Sequence, residues 1–119
     1  MHSLPRVPAT LCHLIAEFHG VPARQLGDER LIGGLLIAAA SATGFGATEG
    51  PQLRATADGG VTAMLVLGGC HLVAHAYVAR ELLLLDVLAP AARDSQKALD
   101  VFARRLTARE VRSEVYERG

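Results

Sequence analysis

Three apolar runs fill the middle of the chain, at residues 61–67, 72–77 and 82–88, and only short breaks separate them. The breaks contain Gly68–Gly69 and Arg80–Glu81 and are too short for the crossover that parallel strands need. Consecutive runs must therefore be antiparallel neighbours in one sheet. Everything else in the chain has to cover that sheet or extend it.

The flanking segments supply both. Residues 12–19 alternate, with Leu14, Ala16 and Phe18 sharing one face of a strand. Asp28 is placed to cap a helix over residues 29–43 that Gly44 ends. This helix is apolar nearly all round, so it is expected to be well covered. Residues 52–56 form a weak strand candidate, and the Asp58–Gly59–Gly60 stretch reads as a hairpin turn. A second, amphipathic helix over residues 95–106 carries Leu99, Phe102 and Leu106 on one stripe. The closing stretch alternates again, with Val111, Ser113 and Val115 expected inward. The order predicts an α+β fold: a two-layer sandwich of an antiparallel sheet with two helices on one face. The 119 residues fit a single domain spanning 1–119. Residues 1–10 carry two prolines and read as a loose arm.

Composition narrows the function classes. The formal net charge is zero, and the basic residues are nearly all arginine, with no positive stripe. Nucleic acid is therefore not an expected partner. The longest apolar run, residues 31–42, is too short to span a bilayer, so no membrane is expected. Cys12 and Cys70 show no disulfide framework, and no signal peptide is evident, which predicts a cytoplasmic protein. The glycines of residues 43–50 follow a helix instead of opening one, so they form no phosphate loop.

The chemistry-bearing residues cluster where the first apolar run breaks: Gly69, Cys70, His71 and His75. As a metal site the set fails on spacing, because His71 and His75 on one strand stand roughly 13 Å apart, and no metal is expected. A thiol needs a neighbouring base to ionise. His71 points to the other face of the strand. His75, His13 and His19 remain open as that base, and Glu17, Asp86 and His13 are candidates to line a cleft. A small buried thiol beside surface imidazoles also explains the pattern.

The stretch from Gly69 to Pro90 resembles the bacterial and archaeal S-adenosylmethionine decarboxylases. Their processing motif reads Glu-Ser-His, an apolar pair, a second His, and a following strand that ends near an Asp. Cys70 falls on the serine, His71 on the first His, His75 on the second and Asp86 on the Asp. The opening strand, the Ala-rich helix and the closing Glu114–Gly119 stretch also fall in family order. The resemblance implies a homodimer of two-layer sandwiches. It also implies self-cleavage between Gly69 and Cys70, which leaves a pyruvoyl group derived from Cys70 and removes the need for pyridoxal phosphate. By the same resemblance His75 is the acid/base of processing, Thr62 stands where the family keeps a processing serine, and S-adenosylmethionine is the substrate, decarboxylated for spermidine synthesis. The chain departs from the pattern at several positions. Gly69 replaces a glutamate, and Pro90 lies near the place of a second catalytic cysteine. Thr56 stands in the region of an adenine-stacking aromatic, and Ala79 in the place of a ribose-binding glutamate that Glu81 could supply. Three further readings stay open: a pyruvoyl decarboxylase of another amino acid, an uncleaved homologue acting as a binding or regulatory partner, and an activity of the thiol itself.

Overall fold

The computed structural model describes residues 7–46 and 49–119. The strands are β1 (Leu11–His19), β2 (Gln52–Ala55), β3 (Val61–Val66), β4 (His71–Tyr77), β5 (Leu82–Pro90) and β6 (Glu110–Arg118); the helices are α1 (Ala23–Leu26), α2 (Glu29–Ala42) and α3 (Gln96–Arg105). The expected loose arm lies partly outside the described residues, as does part of the glycine-rich stretch at 43–50.

The strands form one six-stranded sheet in the order β2-β3-β4-β5-β1-β6, and every pairing is antiparallel. β3, β4 and β5 are the meander that the short breaks impose. β1, first in the chain, inserts between β5 and β6. Period-two alternation decides which side is covered. Leu14, Ala16 and Phe18, Val61, Ala63 and Leu65, Leu72 and Ala74, and Leu83, Leu85 and Val87 are all buried on one face. α2 and α3 pack on that face and against each other. The architecture is an α+β sandwich of a sheet and one helical layer.

Local signals start and stop the helices. Asp28 caps α2 by accepting from the Leu31 N–H at 3.0 Å. Thr43 closes α2 through its hydroxyl, which donates to the Ala39 carbonyl at 2.9 Å, and Gly44 follows at φ 86°. Two expectations are corrected. α2 is not covered all round: Ile32, Leu35, Leu36, Ala39 and Ala40 face the sheet, while Ile37 is exposed. A helix lying on a sheet keeps one side toward solvent whatever its sequence. Val111, Ser113 and Val115 do share the helix-side face, yet every residue of β6 is exposed. β6 is an edge strand beyond the reach of the helical layer.

The turn between β2 and β3 is tied to the rest of the fold by Asp58. Its carboxylate accepts from the Thr56 hydroxyl at 2.6 Å, the Gly60 N–H at 3.1 Å and the Ala79 N–H at 3.3 Å. A Cβ at Gly60 would run into the Ala76 carbonyl oxygen, so only glycine lets the turn approach β4. The Thr56 hydroxyl first, and the backbone donors after it, hold the Asp58 carboxyl below the usual carboxylate range.

Two outcomes are expected. Phe18, fully buried, costs about 3–5 kcal/mol when changed to Ala, whereas Val111→Ala stays within about 0.5 kcal/mol; urea denaturation measures both. Because the folded-state pKa of Asp58 is depressed, its contribution to stability is present above the unfolded value near ~4 and is lost as pH falls through the lower folded value. Asp58→Asn should flatten that acid limb, and an unchanged limb between pH 5 and 2 would show that these bonds are not felt.

Candidate functional site

The face of the sheet that carries no helices holds the polar residues. Here β1, β4 and β5 alternate the other way, presenting His13, Ile15 and Glu17, then His71, Val73 and His75, then Leu84, Asp86 and Leu88. β6 adds Arg112 and Glu114 beside Glu17 and Ile15. A cleft of ≈ 700 Å³ lies over the middle of this face, with Met64, His71, His75, Asp86, Arg112 and Glu114 among its walls.

His13 and His71 meet because both stand opposite Leu88, one on each neighbouring strand. Asp86 lies two residues along from Leu88 and projects from the same face. Its Oδ1 lies 2.8 Å from His13 Nε2 and 2.9 Å from His71 Nε2. The tautomer of His13 follows from a third contact. Arg118 Nη1 lies 3.0 Å from His13 Nδ1, and a guanidinium can only donate. Nδ1 is therefore an acceptor, and Nε2–H donates to Asp86.

The three ligating atoms of this cluster lie within 4.8 Å of one another. A histidine that ligates a metal usually donates its second N–H to a carboxylate or carbonyl. His13 instead turns its second nitrogen to a guanidinium. The donor set fits a hydrogen-bonded cluster better than an ion. On the same face the Tyr116 hydroxyl donates to Glu114. That bond and the charge of Glu114 raise the tyrosine pKa, and Glu110 does the same for Arg112.

Thr62 and His75 are brought together directly. They pair across β3 and β4, with Thr62 Oγ1 3.0 Å from His75 Nδ1. Cys70 is placed elsewhere. It ends a tight turn in which the Leu67 N–H donates to the Cys70 carbonyl at 2.9 Å. Gly68 and Gly69 sit at φ 57° and 87°, the backbone of a primed hairpin turn that only glycine enters freely. The Cys70 side chain is 8% exposed. Five residues of extended chain separate it from His75, roughly 16 Å between α-carbons, so within one chain the thiol and the imidazole do not meet. Glu81 stands past the opposite end of β4, at φ 50°, with its carbonyl accepting from the Val21 N–H. Pro90 ends β5 at the same end of the sheet as the Gly69–Cys70 turn, and the second thiol, Cys12, pairs with Ala89. Its Sγ lies 3.3 Å from the hydroxyl of Ser95.

The sequence marks His13 and Asp86 as cleft candidates and aligns His71 and Asp86 with motif positions, but nothing in it signals that the three converge on one carboxylate oxygen. It depends on β1 lying beside β5, which no local pattern specifies.

The sequence model of the family described as S-adenosylmethionine decarboxylase matches residues 12–119. The fold is similar to the crystal structure of the adenosylmethionine decarboxylase from Aquifex aeolicus. The TM-score is 0.83 at 22% sequence identity, over 95% of this chain and 93% of that chain. No curated protein matches the sequence.

A double-mutant cycle tests the geometry. Asp86→Ala and His71→Ala should couple by about 0.5–1 kcal/mol in urea denaturation, the low end being set by solvent screening. Asp86→Ala and His75→Ala should add without coupling, since His75 bonds to Thr62. Equal coupling in both cycles would contradict the arrangement.

Proposed function

The chain belongs to the S-adenosylmethionine decarboxylase family, and on that premise we propose that it is a self-processing, pyruvoyl-dependent decarboxylase cut between Gly69 and Cys70. The observation that carries the proposal is the 3.0 Å contact between Thr62 Oγ1 and His75 Nδ1. A hydroxyl and an imidazole, at the positions where the family resemblance places the processing pair, are already engaged with each other.

The nucleophile needs no partner element to find its target. Cys70 Sγ reaches the Gly69 carbonyl carbon through its own Cβ, because attack closes a five-membered ring. Attack moves the Gly69 acyl group from nitrogen to sulfur and frees the Cys70 amine. Loss of the Cys70 α-proton then breaks the Cβ–S bond, and Gly69 leaves as a thiocarboxylate. The dehydroalanine that remains isomerises to an imine, which water hydrolyses to ammonia and a pyruvoyl group heading residues 70–119.

His75 is the base for the α-proton, with Thr62 orienting its ring. The roughly 16 Å strand separation from Cys70 prevents this within one chain, so the imidazole must come from a second copy. The open face suits a homodimer, since Ile15, Met64, Val66 and Tyr77 expose 39%, 38%, 59% and 38% of their surface there. Once formed, the pyruvoyl carbonyl supplies the electron sink that decarboxylation requires, and pyridoxal phosphate is not needed. Glu81 is the carboxylate offered to a substrate ribose. The substrate is S-adenosylmethionine, with spermidine synthesis downstream, and the place of action is the cytoplasm, where free thiols such as Cys12 and Cys70 stay reduced.

A second reading rests on one observation: the Cys70 thiol is buried, and His75 stands five residues along an extended strand from it. It takes the protein as a non-catalytic, uncleaved homologue acting as a binding or regulatory partner, or binding a small molecule.

Denaturing mass spectrometry separates the two readings. The expected result is two fragments, residues 1–69 ending in a thiocarboxylate or its hydrolysis product and residues 70–119 headed by pyruvoyl. Cys70→Ala should stay intact, and His75→Ala should slow cleavage by about 10²-fold or more. An intact wild-type chain selects the second reading. Release of CO₂ from S-adenosylmethionine by the cleaved protein tests the substrate.

A further inference from the structure

Cleavage consumes the Cys70 thiol and leaves the cluster of His13, His71 and Asp86 unused, although His71 is the next residue in the chain. Asp86 Oδ1 receives both imidazoles, at 2.8 Å and 2.9 Å. An ionised carboxylate only accepts, so His71, like His13, donates from Nε2–H. The rings stand edge to face at 88°, which lets two N–H groups reach one oxygen. With Nε2 committed, the open position on His71 is Nδ1, which has no hydrogen-bond partner among the described residues. The His71 side chain is 36% exposed and lines the cleft.

The two histidines differ on their far sides. Arg118 donates to His13 Nδ1 at 3.0 Å, so that ring keeps its proton on Nε2 and carries no charge. The Asp86 charge is left to balance a cation on His71. A ring held by a carboxylate at one nitrogen and open at the other takes up and returns protons at the open one. Nδ1 is also the ring nitrogen nearer the backbone. The ketone left by cleavage is built on the former Cys70 α-carbon, about 3.8 Å along the chain from that of His71. An α-carbon lies in the plane of the sheet, so it can be approached from the face that His71 occupies.

We propose that His71 is a catalytic acid/base at residue 70, serving capture of the substrate's primary amine by the ketone, with Asp86, His13 and Arg118 as its positioning residues. The proposal rests on cleavage between Gly69 and Cys70. His71 Nδ1 takes a proton from the substrate ammonium, and the freed amine adds to the ketone carbon. The same proton then passes to the carbinol oxygen, which departs as water and leaves a protonated carbon–nitrogen double bond. No oxidant or reductant is used. His75 keeps its task in cleavage, so the two imidazoles of β4 divide processing and turnover between them.

Methoxyamine is a suitable probe, because it condenses with a ketone and carries no carboxylate to lose. Mass spectrometry follows labelling of the 70–119 fragment among cleaved chains only. The wild type should label about 10²-fold faster than His71→Ala. Added imidazole should restore part of the loss in that variant, which a merely structural defect would not allow. Asp86→Asn keeps the shape and removes the charge, and it should slow labelling too; it carries the comparison if His71→Ala stays uncut. Nitrogen-15 NMR of the full chain, cut or uncut, should place the proton of each neutral ring, His13 and His71, on Nε2. Labelling at the wild-type rate in the cut variants overturns the proposal and leaves the cleavage reading standing, and so does an Nδ1–H tautomer at His71. An intact wild-type chain is a failure of cleavage itself, and the proposal goes with it.

Discussion

The partition of β5 between its two faces underlies the rest of the structure. Leu83, Leu85, Val87 and Ala89 are buried under the helices, and Leu84, Asp86 and Leu88 project the other way. With β4 on one side and β1 on the other, β5 transmits its register to both. A slip of one residue would exchange the faces. Asp86 would then enter hydrocarbon, where an unpaired carboxylate is costly, and four apolar side chains would leave it. That penalty locks the register, and the locked register holds His13 and His71 on one carboxylate oxygen.

The candidate chemistry divides into a local part and a distant part. The reach of Cys70 to the Gly69 carbonyl belongs to covalent geometry and to a turn made by two glycines at positive φ. The pairing of Thr62 with His75 belongs to the β3–β4 register. Nothing in one chain brings the two parts together, because β4 is extended and five residues separate them. Extended strands keep sequence neighbours apart, and only contact with another strand or sheet can bring such residues together.

Much of this could be read from the residues. The alternation of Leu14, Ala16 and Phe18 located β1, Asp28 and Gly44 bounded α2, and the short breaks made β3, β4 and β5 a meander, because period-two patterns, caps and turn glycines act over a few residues. The likeness to a known motif marks Cys70 and His75 within the Gly69–Pro90 stretch and Thr62 on the strand before it. The same local logic misjudged Val111 and Val115. Their alternation identified a face correctly and could not say that no helix would lie over it.

The amino-acid sequence by itself determined which segments are strands and helices, which side of each is apolar, and where a thiol sits next to a carbonyl it can reach. Only the tertiary structure decided that β1 lies between β5 and β6, that His13 therefore meets His71 across Asp86, that Cys70 and His75 stand apart, and that β6 is left uncovered. Periodicity and capping are written in neighbouring residues, whereas strand order is settled by which pairings bury the most apolar surface at once, and that is a property of the whole chain.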